Sequence, residues 1–124
     1  MTSREPSAAP EPEKTASAPA PPPPQAATAL LDPVIHERLR LAIMCALAVH
    51  ESMTFLELTR HLGMTKGNFH IHAKRLEEVG HIQGTKHGEG RHTRTTFAIT
   101  RAGRKALERY FAQLEAIIAA TRRA

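Results

Sequence analysis

The sequence predicts a mainly α-helical fold with one small β-hairpin, an α+β class, built around a helix-turn-helix. Three observations carry this. Between Thr54 and Gly80 two short helical patterns, each with its own start signal, meet at a tight turn containing Gly63. Directly after them, from His81 to Ile99, the pattern changes to alternation around a glycine-bearing loop. From Thr100 onward an apolar stripe at helical spacing runs to about Thr121.

The chain begins with a different kind of sequence. All nine prolines lie within residues 1–33, mixed with Ala, Ser and Glu and ending in the run Pro21 to Pro24. Residues 1–30 show no hydrophobic period. They cannot bury enough apolar surface to offset the entropy of ordering, so a disordered tail with local polyproline II character is expected. It reads as a solubilising extension rather than a partner-binding arm. No apolar core follows the early charges as in a secretory signal, and no apolar run is long enough to span a membrane. One domain is expected over residues 31–124, in the cytoplasm and associated with the nucleoid.

Charge separates the two parts. Residues 1–32 carry Arg4 and Lys14 against Glu5, Glu11, Glu13 and Asp32, a balance of −2. The whole chain is +5, so residues 33–124 carry +7. All eight histidines lie in this basic part and add charge in acid. A basic domain points to an anionic partner, most simply nucleic acid. Aromatics make up 4% of the chain and Trp is absent, which disfavours single-strand binding by base stacking. No helix pairs a basic face with large aromatic anchors, as a membrane-surface helix would.

The first domain helix is expected to open with Asp32 as N-cap and Pro33 at its first position. From Leu41 to Val49 it is apolar all round, which implies burial on several sides and a second subunit as cover. Cys45 lies in this run. A lone cysteine excludes an internal disulfide, fits a reducing compartment, and reads as a packed small hydrophobe.

Thr54 and Glu57 form the capping box of the next helix, and Phe55, Leu58, Thr59 and Leu62 share its inward face. Gly63 supplies the left-handed stop. Thr65 caps the following helix, whose inward face reads Phe69, His72, Ala73, Leu76 and Val79 before Gly80 ends it. Gly67, His70, Ile71 and Lys74 are left on the opposite face, with Lys66, Asn68 and Arg75 on its flanks. A recognition helix needs these residue types: hydrogen-bonding side chains early, cations at the edges, and glycine where backbone comes close. Its only acids, Glu77 and Glu78, come late.

In the hairpin, Thr95, Phe97 and Ile99 alternate with Arg94, Thr96 and Ala98, and Gly88 and Gly90 bracket the loop where positive φ is needed. Lys86, Arg91 and Arg94 make it basic. A basic hairpin directly after a recognition helix is a wing. With these pieces in place, the sequence resembles the winged helix-turn-helix regulators of the MarR and ArsR type, and most of all a small bacterial winged-helix DNA-binding family. The matching segments are LDPVIHERLRLAI, FLEL, TKGNFHIHAKRLEEVG, GRHTRTTF and ITRAGRKAL, in order, from about Leu31 to Ile118. Ala73 stands where that family usually has Leu, and Ile71 where a polar residue is common. The resemblance implies a short strand at Ser52–Thr54 added to the wing's sheet, and a core role for His72. It also implies a winged helix-turn-helix with a long C-terminal dimerisation helix.

That last helix, capped by Thr100, would be about 30 Å long, longer than the small domain it leaves. Leu107, Phe111, Leu114, Ile117 and Ile118 on its stripe are the expected dimer interface. On the DNA side, Lys66, Asn68, His70, Ile71 and Lys74 are expected in the major groove, Ile71 against a thymine methyl. Arg91 is expected at the wing tip, reaching the minor groove or its phosphates. Lys86, Arg94 and Arg75 would hold the backbone.

Other chemistry lacks its residues. His70 and His72 point to different sides of one helix, and His87 and His92 flank the wing loop without a Cys or carboxylate pair to complete a zinc site. The C-terminal helix has no His or Asp, so the ligand set of metal-sensing ArsR relatives is missing. No phosphate-cradling loop and no nucleophile with a base and orienting partner is visible. The expectation is a non-enzymatic, cofactor-free homodimer that binds specific sequences of double-stranded DNA as a transcriptional regulator. Two alternatives use the same scaffold: a protein-interaction module, or a ligand- or metal-responsive sensor with DNA binding as its output.

Overall fold

The computed structural model describes residues 24–123. The disorder expected for residues 1–23 therefore lies outside the described residues. The elements run α1 (Pro24–Ala29), α2 (Arg38–Val49), β1 (Met53–Thr54), α3 (Phe55–Leu62), α4 (Lys66–Glu78), β2 (Ile82–His87), β3 (Arg94–Ile99) and α5 (Arg101–Arg123). No described helix is long and apolar enough to cross a membrane.

Two N-terminal boundaries differ from expectation. Residues 24–29, expected to be disordered, form α1, which packs along α5. The helix expected from Pro33 begins only at Arg38. Asp32 does cap, accepting from the Val34 and Ile35 backbone N–H groups at 2.9 and 3.4 Å, but only a single turn follows. The chain then takes an extended conformation at Glu37, whose carboxylate accepts from the Arg40 N–H at 2.8 Å and becomes the working N-cap. Two capping carboxylates five residues apart make two starts, and the fold uses the second for the long helix.

The helix-turn-helix forms as its punctuation dictates. Thr54 and Glu57 close a reciprocal capping box, Gly63 ends α3 at φ 63°, and the Thr65 hydroxyl accepts from the Asn68 N–H at 3.1 Å to start α4. Leu58 and Thr59 are buried, the Thr59 hydroxyl donating back to the carbonyls of Phe55 and Leu56. On α4, Phe69, Ala73 and Leu76 are buried. Val79, expected inward, is instead exposed, because the helix stops there before Gly80 turns at φ 83°.

The sheet order is β1-β3-β2, all antiparallel, and β1 is the short third strand expected at Ser52–Thr54. Its register sets Met53 opposite Phe97 and Gly84 opposite Phe97 on the other side. Phe97 packs edge-on against Phe69, and Phe69 against Phe55, with ring centroids 5.3 and 5.2 Å apart. This aromatic chain joins β3, α4 and α3, and each such pair contributes about 0.5–1.5 kcal/mol beyond its buried area.

Helix α5 seals the domain. The Thr100 hydroxyl accepts from the Gly103 N–H at 2.9 Å, and it donates to the Gly80 and His81 carbonyls. Gly103 lies directly on the His81 carbonyl, where a Cβ would overlap it. Ala106, Leu107 and Tyr110 then complete the core against α2. Leu107, expected at a dimer interface, is 3% exposed in this chain and packs in the core. A domain of this size needs the first turns of its last helix inside. The apolar run in α2 divides in a similar way: Ile43, Met44 and Leu47 are fully buried, whereas Val49 is 79% exposed.

Candidate nucleic-acid interface

The inner residues of α4 are fixed by packing, so its outer residues are defined by elimination. Lys66, Gly67, Asn68, His70, Ile71, Lys74 and Arg75 are all exposed, Ile71 to 63%. A β-branched apolar side chain held in water beside His70 and Lys74 gains nothing for the fold. The first turn of α4 carries no acid. Both late acids are engaged: Glu78 lies 4.0 Å from Arg75, and Glu77 accepts from the Gly84 N–H at 3.1 Å. The outer face therefore presents two lysines, an asparagine, a histidine and an isoleucine with no free carboxylate of its own helix among them.

The Glu77–Gly84 bond ties the last turn of α4 to β2, the first strand of the wing. Gly84 allows it, since a Cβ there would meet the Phe97 ring at 2.9 Å. This function of Glu77 escaped the sequence reading, which saw a late acid. Its only signal was a glycine inside a strand, a mark of close approach.

The wing's three cations are exposed, but they do not share a face. Paired residues across a ladder project to the same side, and successive residues alternate. Lys86 pairs with Thr95 on the side of Gly84 and Phe97, whereas Arg94 pairs with His87 on the other. Arg91 occupies the 3-10 turn Gly90–His92 at the tip, directly after Gly88 at φ 86° and Gly90 at φ 57°. Arg94 stands at the loop end of the ladder, beside a hollow of about 450 Å³ that it shares with Thr54 and Phe55 at the start of α3. The Glu57 carboxyl is held below its ordinary value by its hydrogen bonds to Thr54 first and by the charges of His50 and Arg94 after these.

Behind α4 a polar joint holds its inner side to the N-terminal segment. Arg40 donates to the Val34 and Pro33 carbonyls and, at 3.2 Å, meets the His72 Nδ1. Glu37 Oε1 lies 3.7 Å from the same nitrogen. Burial pushes the Glu37 carboxyl up; the Arg40 N–H, the charges of His72 and Arg40, and the Leu39 N–H outweigh it and leave the group below its ordinary value. Beyond the end of α4, His81 Nε2 lies 3.6 Å from Asp32. Cys45 is half-buried and its thiol is pushed up by burial, so it is less available as thiolate. Among the described residues no three His, Cys, Asp or Glu side chains gather as a metal site.

On α5, Phe111 and Ile118 are 40% and 41% exposed, while Leu114 and Ile117 pack partly against the core. The arrangement is one domain with a basic outer helix and hairpin, and an apolar strip on its last helix.

Comparison with known proteins agrees with this architecture. A family model described as a winged helix DNA-binding domain matches residues 39–118. No curated protein matches the chain. Among solved structures, a transcriptional regulator homologue from Pyrococcus horikoshii OT3 is 28% identical, with 69% of this chain and 85% of that one covered at a TM-score of 0.65. YusO from Bacillus subtilis is 21% identical over 77% of this chain and 62% of its own, at a TM-score of 0.59. MarR is also 21% identical, over 68% and 61%, at 0.59. The last two likenesses concern the fold alone. The match over residues 39–118 takes in α2 through most of α5, and the chain belongs to the winged helix DNA-binding domain family.

Proposed function

We propose that the chain is a homodimeric transcriptional regulator that reads specific sequences in double-stranded DNA, in the cytoplasm on chromosomal DNA. The observation that carries this reading is the outer face of α4, where Ile71 stands in water among Asn68, His70 and Lys74. Asn and His supply hydrogen bonds to base edges, and Ile supplies contact to a thymine methyl. Lys66 enters the major groove with them, and Arg75 on the flank holds phosphates. In the wing, Arg91 reaches the adjacent minor groove or its phosphates, and Lys86 and Arg94, on opposite faces of the hairpin, hold backbone on either side of it. The similar protein from Pyrococcus horikoshii OT3 is a transcriptional regulator homologue, which supports the regulatory role.

Dimerisation uses α5. At 23 residues this helix is about 35 Å long. Phe111 and Ile118 lie two turns apart on one side of it and remain exposed, with half-covered Leu114 and Ile117 beside them. A second copy buries that strip and sets two recognition helices about one turn of DNA apart.

Selection of bound sequences from a random duplex pool, followed by mobility shifts at graded salt, tests the reading. A palindromic site bound by a dimer, with affinity falling as salt rises, is the expected result. Recovery of no enriched sequence, with no duplex shifted at low salt, would instead favour a protein-interaction module.

A further inference from the structure

Strand β2 is an outer strand of the sheet, so one row of its backbone groups faces away from β3. Ladder parity identifies that row. The Thr100 N–H donates to the His81 carbonyl, and antiparallel bonds recur at every second residue, so Gln83, Thr85 and His87 bond to β3 and Gly84 does not. The Gly84 N–H points outward, and the Glu77 carboxylate accepts from it at 3.1 Å. Across the sheet the same row reads Met53, Phe97, Gly84. At this level β1 holds the hairpin along one edge, and a side chain of α4 holds it along the other. From Thr85 to Arg94 every residue is exposed, so no buried side chain steadies the wing beyond this row.

We propose that Glu77 is a positioning residue: it holds the wing to the recognition helix, so that Arg91 meets the DNA backbone while the outer face of α4 lies in the major groove. Helix and wing tip engage the duplex at separate places. Occupying both at once costs less when their relation is fixed before binding. Gly84 makes the tie possible, since a Cβ there would stand 2.9 Å from the Phe97 ring and 3.1 Å from the Glu77 carboxylate. The neighbouring acid does not share the task, because Glu78 is turned to Arg75 at 4.0 Å.

Two substitutions separate this bond from the charge that makes it. Glu77→Ala removes both, whereas Glu77→Gln removes the charge and keeps an oxygen that accepts from the Gly84 N–H. Glu77 is exposed and outside the core, so neither change empties a packed position. Urea titration checks that each variant is folded under the conditions of binding.

This inference rests on the DNA-binding role of α4 and the wing, and its test has one arm that does not. In the full-length protein without DNA, exchange of the Gly84 amide hydrogen, followed by NMR, should be slow in wild type and in Glu77→Gln. In Glu77→Ala it should quicken about fivefold, the worth of one hydrogen bond. A Gly84 amide that exchanges alike in all three proteins overturns the tie, whatever the protein binds. The second arm places Arg91→Ala in each background and measures affinity for the selected site. The factor lost with Arg91 should be about threefold smaller in Glu77→Ala than in wild type and unchanged in Glu77→Gln, since the effects of coupled residues do not add. Both Glu77 variants lack the charge, so its repulsion of phosphate cancels between them. A fold merely weakened by the lost bond leaves the Arg91 factor where it was. Equal factors in all three backgrounds, or a Gln background that behaves as the Ala one, overturn the positioning role. Failure of wild type to bind any duplex overturns the DNA reading and the role built on it, while the exchange arm still judges the tie.

Discussion

Two residues whose work is internal decide whether the site residues are held at all. Gly103 presses on the His81 carbonyl, and the backbone of α5 and that of the turn before β2 touch there without room for a methyl group. Gly103→Ala should destabilise the fold by about 1–3 kcal/mol, as overpacking does, read as a lowered midpoint in urea with unchanged slope. Local sequence rules give this glycine no reason, since within a helix it reads as an apparent flaw. Glu37 acts through its charge. Its folded pKa is below the ordinary value, so the stability it contributes is present above the unfolded value, about pH 4.3, and is lost as pH falls through the folded one. Thermal midpoints measured down through that window should fall less steeply in Glu37→Gln than in wild type. Parallel acid limbs would show that the Glu37 contacts do not couple to folding.

Helices and strands were legible in the sequence wherever the punctuation was local. Thr54 with Glu57, Gly63, Thr65, Gly88 and Gly90 each act within a few residues, and α3, α4 and the wing form where those signals put them. The α2 start is not legible because Asp32 and Glu37 both cap, and two local start signals of the same kind do not rank themselves. Helix α1 was missed because Pro and Ala composition resembles a solvated tail, and its contact is a distant one, to α5. That contact makes truncation informative. Deleting residues 1–23 should leave the unfolding midpoint unchanged, whereas deleting residues 1–30 should lower it, since it removes what packs on α5. Equal midpoints for the two truncations would mean that α1 adds nothing to the fold. Thr54→Ala should cost about 1 kcal/mol, the usual worth of a cap, without altering the oligomeric state.

At the scale of the whole molecule, the sequence stripe on α5 serves two masters. Leu107 turned inward because a small domain must recruit its last helix to complete the core, and no spacing rule separates an inward from an intermolecular position on one face. Phe111 and Ile118 are the large apolar side chains of α5 that stay exposed, and the proposed dimer contact uses them. Replacing both with Lys puts like charges into the proposed contact and should give monomers by sedimentation, with the far-ultraviolet spectrum kept, because neither residue is buried in its own protomer. Dimers that persist in that variant would move the interface elsewhere.

The division of labour between helix and wing tests the central claim most directly. His70 and Arg91 are both exposed and neither carries the core, so each can be removed from a folded protein. Affinity of His70→Ala and Arg91→Ala is measured on the selected site and on random duplex, over a range of salt. A helix that reads bases predicts a loss of about 1–3 kcal/mol for His70→Ala on the selected site and much less on random DNA. A wing that grips backbone predicts equal losses on both for Arg91→Ala, with the salt slope reduced by about two in a dimer. Equal losses on selected and random DNA from His70→Ala would contradict the account, because the outer face of α4 would then hold DNA without reading it.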